Sequence, residues 1–358
     1  HAKKELPKSE AQLFSQFVRL YYSQAHLDDF ENQTPENLYG MAKSHWELVK
    51  QRQPKELKIR VFNPDKNKDG WESDHTIIEV IADDMPFIVD SMRMELNRIG
   101  LMIHVMIYMG GMKVERDNSG KLLDILPYNS SEKDVDIESP IYMEIDRKTE
   151  KDVLATIQSN IERVLADVRS CVEDWSSMQR RLRDTIEDIS GAKMPQKPAE
   201  VNETIAFLEW MLEDHFTFLG ARDYERAEAD DGSVAMRLIP GTGLGVLRDE
   251  SRSQVIRKYS EIPKAAREIA LSKDQILIIS KTNTRSTVHR PTYTDYIGVK
   301  LFDKKGNVIK ERRFIGLYTS SAYNANPKAI PVIRKKVASI FNQSGLPARS
   351  HAGKDLMH

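Results

Sequence analysis

The stretch Ala82-Asp83-Asp84-Met85-Pro86-Phe87-Ile88-Val89-Asp90-Ser91, ADDMPFIVDS, joins two kinds of periodicity. Upstream, HTIIEVIA sets Ile78, Val80 and Ala82 two residues apart, the period of a strand. Downstream, Ile88, Val89, Met92, Leu96 and Ile99 recur at three and four, the period of one helix face. Gly100 follows where a helix commonly ends in a left-handed residue. The junction is a strand-to-helix turn with two adjacent carboxylates in it, and the reading of that acid pair separates a reaction centre from a ligand turn or a helix cap.

Working outward, ELKIRVF alternates through Leu57, Ile59 and Val61 and reads as another strand. LMIHVMIYM is apolar at nearly every position, so both its faces are expected to be covered. A hairpin is expected at Asp117-Asn118-Ser119-Gly120, and PIYMEID supplies a further strand. Residues 55–148 therefore form one α+β sandwich with antiparallel returns. The preceding 1–54 contains two helices, one carrying Leu13, Phe14, Phe17, Val18 and Tyr21 on a face. The other is opened by Thr34 as N-cap and Pro35 at the first helical position.

From Thr149 to Ser190 the residues Ile157, Ile161, Val164, Val168, Cys171, Trp175, Met178, Leu182, Ile186 and Ile189 keep a helical step with no glycine or proline between them. One helix of that span is ~60 Å long at 1.5 Å per residue. Residues 149–198 thus read as a coiled-coil-like arm and linker between two domains. Residues 199–324 repeat the strand-and-helix pattern as an antiparallel sheet with flanking helices, a shape shared by PAS and GAF domains. Residues 325–358 hold a last helix near Ile330 to Phe341, and the chain reads as a piece of a longer protein.

Bulk composition narrows the function classes. At 358 residues, two domains are expected from the usual ~100–200 residues per domain. With 53 Lys+Arg against 54 Asp+Glu, no global charge favours nucleic acid or an anionic membrane as partner. The single cysteine, Cys171, has no second thiol for a disulfide or a CxxC site, sits on the helical stripe, and reads as a buried structural thiol in a reducing cytoplasm.

Few side chains suggest chemistry. Asp83, Asp84 and Asp90 stand at a helix start, where carboxylates meet the positive dipole end and orphan N–H groups, worth ~0.5–2 kcal/mol. A metal would need more oxygen ligands than this run provides, and no metal site is expected. Gly241-Thr242-Gly243-Leu244-Gly245 has G-x-G-x-G spacing, which is not the dinucleotide fingerprint, and reads as a flexible loop. Arg285, His289, Arg290, Arg312 and Arg313 form a candidate anion patch, against the alternative of scattered surface basics. His104 is expected to be a core or interface histidine. No catalytic residue is assigned, and the pattern favours a binding or regulatory segment.

ADDMPFIVDSMRMELNRIGL resembles the N-terminal region of the large bacterial NAD-dependent glutamate dehydrogenases, which carry a D-D-M-P-F-[IL]-V-D-S run. DHFTFLGARDY, PGTGLGVLR, NTRSTVHRPTYTDYIGVKLFD, ERRFIGLYTSSAY and SGLPARSHAGKDLMH match in family order. The resemblance implies an ACT-like (ferredoxin-like) α/β sandwich at 55–148, then the long helix, then a PAS-like module. It further implies that oxidative deamination of L-glutamate, with NAD as hydride acceptor, belongs to a downstream domain. This segment would hold no cofactor, and its partners would be other subunits, its own downstream domains and an amino-acid effector. ACT domains bind amino acids at a D-x-P-G turn. Here that turn is Asp83, Asp84, Met85, Pro86 and Phe87, with Phe87 at the glycine position. A free-standing ACT/PAS-type sensor without enzymatic activity is the alternative.

Overall fold

The computed structural model describes residues 6–23, 25, 30, 33–126, 135–229, 232, 234–252, 256–258, 264–345 and 351. All but Ser344, Gly345 and His351 of the terminal SGLPARSHAGKDLMH stretch lies outside the described residues. The chain divides into two compact units: His1–Val168 with Thr287–Pro291, and Arg169–Ser286 with Thr292–His358.

The first unit runs α1 (Lys8–Ser23), α2 (Pro35–Val49), β1 (Lys58–Phe62), a one-turn α3 (Lys66–Asp69), β2 (Thr76–Asp83) and α4 (Ile88–Arg98). It continues with β3 (Ile103–Tyr108), β4 (Met112–Arg116), β5 (Leu122–Leu126), β6 (Asp136–Ile145) and the opening of α5 (Lys151–Gly191). The strands form one antiparallel sheet in the order β1-β2-β6-β4-β5, with β3 also on β6. β1 precedes the rest of the sandwich in sequence yet takes the place beside β2, with Ile59 opposite Val80. It completes the sheet because the last helix runs on into the second unit instead of returning as a strand.

β2 is buried on both faces, which its Ile- and Val-rich sequence permits. Ile77 and Ile81 meet an aromatic layer from α1 and α2 containing Phe14, Phe17, Tyr21 and Trp46. Alternation turns Ile78 and Val80 to the opposite face. Helices α4 and α5 are joined by Glu95 and Arg163 at 3.1 Å and carry the buried Ile88, Met92, Leu96, Ile157 and Ile161. Thr34 caps α2 as its sequence predicts, accepting the Asn37 N–H at 3.2 Å.

Two expectations change. β3 is not covered on both faces: Met102 before it is 63% exposed and His104 is exposed. Among the described strands β3 pairs with β6 alone, so it lies at the margin of the sheet. His104 is accordingly a surface group, stacked on His75 at 4.2 Å and bonded to Asp146. The apolar stripe of α5 is satisfied within the chain rather than as a free coiled-coil seam. Ile157, Ile161 and Val164 are buried with the first unit, while Met178, Leu182 and Ile189 join the core of the second. Trp175, on the same stripe by spacing, is 45% exposed.

The second unit comprises the remainder of α5, α6 (Pro198–Trp210), β7 (Phe216–Glu228), β8 (Val234–Leu238), β9 (Leu244–Gly245), β10 (Ile256–Lys258) and α7 (Lys264–Leu271). β11 (Leu277–Arg285), β12 (Tyr293–Phe302), β13 (Val308–Tyr318), α8 (Ser320–Asn324) and α9 (Ile333–Ser344) follow. Its antiparallel sheet has the order β10-β8-β7-β13-β12-β11, with β9 on β7. One face packs Phe218, Ile297, Val299 and Phe314 against α5 and α6. The other carries Tyr224, Met236 and Leu238 with Ala270 of α7. Lys300 is fully buried and caps the end of α7, donating to the Ile269 carbonyl at 2.9 Å and the Ser272 carbonyl at 2.8 Å. Burial pulls its ammonium down to about 8. No helix among the described residues is long and apolar enough to cross a membrane.

Candidate functional site: the strand-to-helix turn of the first unit

β2 ends at Asp83 and α4 begins at Ile88, so the turn consists of Asp84, Met85, Pro86 and Phe87. Met85 is buried beneath it, whereas Asp84 and Pro86 are exposed. Phe87 is the N-cap of α4 and holds φ 70°, ψ 2°, the left-handed conformation that glycine favours. The residue at the glycine position of an ACT turn thus keeps glycine's backbone while carrying a ring, at a cost of about 1–3 kcal/mol.

Neither aspartate caps the helix, and α4 has no side-chain cap at all. That corrects the cap reading of the acid pair. Asp84 points across the sheet end, accepting from Tyr108 Oη at 3.1 Å and Ser139 Oγ at 2.5 Å, while its N–H donates to the Ile137 carbonyl. Asp83 accepts from Arg52 Nη2 at 2.5 Å. Arg52 is buried and donates in turn to Glu138 at 2.8 Å, and Glu138 also takes two bonds from Arg116, each 2.7 Å long. Two arginines and two carboxylates thus neutralise one another under the turn. Both guanidiniums are further tied to backbone, Arg52 to the Glu56 carbonyl and Arg116 to those of Val49 and Gly120.

Thr287–Pro291, the segment that counts with the first unit, lies against the Phe87 end of the turn. The His289 ring lies on the Phe87 ring at 4.4 Å between centroids. Its backbone N–H donates to the fully buried Ser91 Oγ at 3.1 Å, and its Nδ1 stands 3.9 Å from the Asp90 carboxylate. His289 is also left-handed, at φ 70°. Thr287 donates to Asp167 Oδ2 at 2.8 Å, and Val288 is fully buried. Burial, then the neighbouring Arg290, hold the His289 imidazole below its usual range, against the opposing pull of Asp90.

The five basic residues read as an anion patch are divided between the units: His289 and Arg290 in the first, Arg285, Arg312 and Arg313 in the second. Arg312 and Arg313 are consecutive on β13 and therefore point to opposite faces. Arg312 meets Asp188 at 2.8 Å and Thr185 at 3.1 Å. Arg313 lies over Tyr224 and binds Glu311 and Tyr296. Arg285 lies over the Tyr293 ring. Each is engaged within the protein.

The glycine loop is hydrogen-bonded at both ends. Leu244 and Gly245 pair with β7, the Gly245 N–H donates to Asp174 at 2.8 Å, and the Gly241 N–H donates to Glu250 at 2.7 Å. A Cβ at Gly245 would overlap the Leu219 carbonyl. The Gly241 and Gly245 amides are thus directed at carboxylates, and Leu244–Gly245 forms a short strand where a dinucleotide turn would open a helix. Among the described residues no group of three or more His, Cys, Asp or Glu could hold a metal ion.

Arg52, Arg116, Glu138, Ser91 and Ser139 escaped the sequence reading. Arg52 and Glu138 are 86 residues apart, and no local pattern pairs them.

Against known proteins, the family model described as glutamate dehydrogenase, ACT1 domain, matches residues 17–161. A second, described as glutamate dehydrogenase, helical motif 1, matches 330–358. The chain is similar to the NAD-specific glutamate dehydrogenase of Halomonas elongata, 35% identical over 98% of the chain and 22% of the relative. The Pseudomonas aeruginosa protein of that name is 38% identical over 95% of the chain and 21% of its own length. That of Mycobacterium tuberculosis is 24% identical over 83% and 17%. The solved "Structure of an RNA-binding Light-Oxygen-Voltage Receptor" aligns at 9% identity over 91% of this chain and 89% of that one, with a TM-score of 0.17, too low to speak to the fold. The chain thus spans about a fifth of the relatives it matches, at their N-terminal end, and itself carries the ACT1 match. It belongs to the NAD-specific glutamate dehydrogenase family, as the family's N-terminal ACT-containing region.

Proposed function

We propose that this chain is the non-catalytic regulatory and assembly segment of an NAD-dependent glutamate dehydrogenase. The parent reaction is L-glutamate + NAD + water to 2-oxoglutarate + ammonium + NADH, carried out by a downstream domain that binds the NAD. The observation that carries this reading is the alignment of nearly the whole chain with only the first 22% of a relative named for that activity. The turn geometry supports it: the carboxylates of ADDMPF are spent on Arg52, Tyr108 and Ser139, which leaves no acid/base pair poised for a substrate. The segment works by holding subunits and downstream domains in one arrangement, in the cytoplasm, and any effector acts by favouring one arrangement over another.

The test compares a full-length relative with a form lacking the region equivalent to this chain. Loss of subunit assembly by light scattering, with glutamate turnover by the remaining assembled fraction, is expected. Unchanged assembly and unchanged effector response after deletion would refute the reading. NADH formation from glutamate by this chain alone would refute it equally.

A further inference from the structure

The last described helix of the second unit, α9, is fixed firmly at its start. Ile330 is buried, and Val332 packs against the core that holds Phe218 and Phe314. Val332 has φ 69°, a left-handed conformation for a β-branched residue, which persists only where its surroundings over-determine it. Glu203 of α6 supplies that constraint, accepting the Val332 N–H at 2.8 Å and Arg334 Nε and Nη2 at 2.8 and 2.9 Å. Lys335 adds bonds to the Ala199 carbonyl at 2.8 Å and to Glu200 at 3.1 Å. A strained residue and charged bonds to α6 thus set the direction in which α9 leaves the core.

Beyond that anchor, no side chain of α9 is buried among the described residues, and Ile333 and Ile340 are 42% and 59% exposed. Ile333, Val337, Ile340 and Phe341 fall at i, i+4, i+7 and i+8, which makes one apolar stripe. A helix this short is marginal in water and draws its stability from the packing of such a stripe. Its charged residues, Arg334, Lys335 and Lys336, are all basic, and Lys336 is exposed. The match described as helical motif 1 begins at residue 330 and so takes in α9. The relatives extend far past the aligned region, which is 22% and 21% of their lengths. A helix held in a set direction with its apolar stripe open is arranged to receive a partner.

We propose that the Ile333, Val337, Ile340 and Phe341 face of α9 is the docking surface for an amphipathic helix from the region of the parent enzyme that follows this segment, with a carboxylate of that helix opposite Lys336. The inference rests on the assembly role proposed above and gives it a surface. The stripe supplies the apolar contact, and the Glu203 clamp sets where the partner is held.

Hydrogen–deuterium exchange on this chain and on its full-length parent tests it. Amides of 337–344 are expected to exchange at least about tenfold more slowly in the parent than in this chain, after correction for intrinsic rates. Ile340→Glu is expected to abolish that difference in the parent, and to move the thermal midpoint of this chain by less than ~2 °C. Equal exchange in the two proteins would overturn the proposal. So would protection in the parent that Ile340→Glu leaves intact, or a larger loss of midpoint in this chain, because the stripe would then be covered from within it. Protection that rises with the concentration of this chain would assign the surface to a second copy and overturn it equally. Glutamate turnover by the parent is measured in parallel: its absence refutes the assigned activity, while the exchange comparison still decides the docking. If the Ile340→Glu parent fails to fold, Lys336→Glu sets a like charge against the partner's carboxylate and is read in the same way.

Discussion

Replacing Glu138 tests whether the charge cluster beneath the turn holds the first unit together. Glu138 is fully buried and accepts three guanidinium bonds, from Arg52 Nη1, Arg116 Nε and Arg116 Nη2, at 2.7 to 2.8 Å. Glu138→Ala leaves two nearly buried guanidiniums, Arg52 still paired with Asp83, a side chain already one-third exposed, and Arg116 still bonded to the Val49 and Gly120 carbonyls. Removing one partner of a buried ion pair costs about 3–5 kcal/mol, because the remaining charge is stranded away from water. Against a typical stability of ~5–15 kcal/mol that is a large share. With an m-value of about 2 kcal/mol/M, the urea midpoint should fall by roughly 1.5–2.5 M. Glu138→Gln keeps the size and an acceptor oxygen but removes the charge, and should lose less. Urea titration followed by circular dichroism, with exchange at β2 assigning the transition to the first unit, reads the result. A loss under about 1 kcal/mol for Glu138→Ala would refute the argument.

Other outcomes follow from single sites. His45 is fully buried, 3.0 Å from the Val80 carbonyl through Nε2, and burial pulls its imidazole down to about 4. The unfolded ring titrates near 6.5, so its contribution is complete above that pH and is lost as pH falls through 4, on the order of 3 kcal/mol. His45→Phe should therefore show a flatter urea midpoint between pH 7 and pH 4 than the wild type, and an equal slope would contradict the assignment. Gly245→Ala should destabilise the second unit well beyond the ~1–3 kcal/mol of a left-handed alanine, because the Cβ also meets the Leu219 carbonyl. Gly241→Ala, left-handed but in open space, should cost only the backbone part, and thermal melts of both variants separate the two.

Periodicity disclosed most of the fold. Alternation in HTIIEVIA and the three-four spacing after Pro86 located β2 and α4, and the unbroken apolar step from Ile157 to Ile189 located a 41-residue helix. Periodicity does not say what covers an apolar face. The stripe of α5 read as a coiled-coil seam because its cover, the Phe218 and Phe314 face of a sheet, is formed by residues far along the chain. LMIHVMIYM read as doubly buried because apolar content does not reveal that β3 lies at a sheet margin. At the turn, the sequence marked Phe87 as the departure from glycine. It did not reveal that the backbone keeps glycine's conformation, or that His289, some 200 residues on, lies against the ring. Asp83 and Asp84 read as caps because their partners, Arg52, Tyr108 and Ser139, are joined to them only by tertiary structure.

The central claim, proposed above, is that this chain serves assembly and regulation and carries out no glutamate chemistry itself. NADH formation from L-glutamate and NAD by the intact purified chain at pH 7.5 tests it most directly. The proposal predicts no turnover above a protein-free control. Glutamate-dependent NADH formation that rises with the concentration of the chain would contradict it.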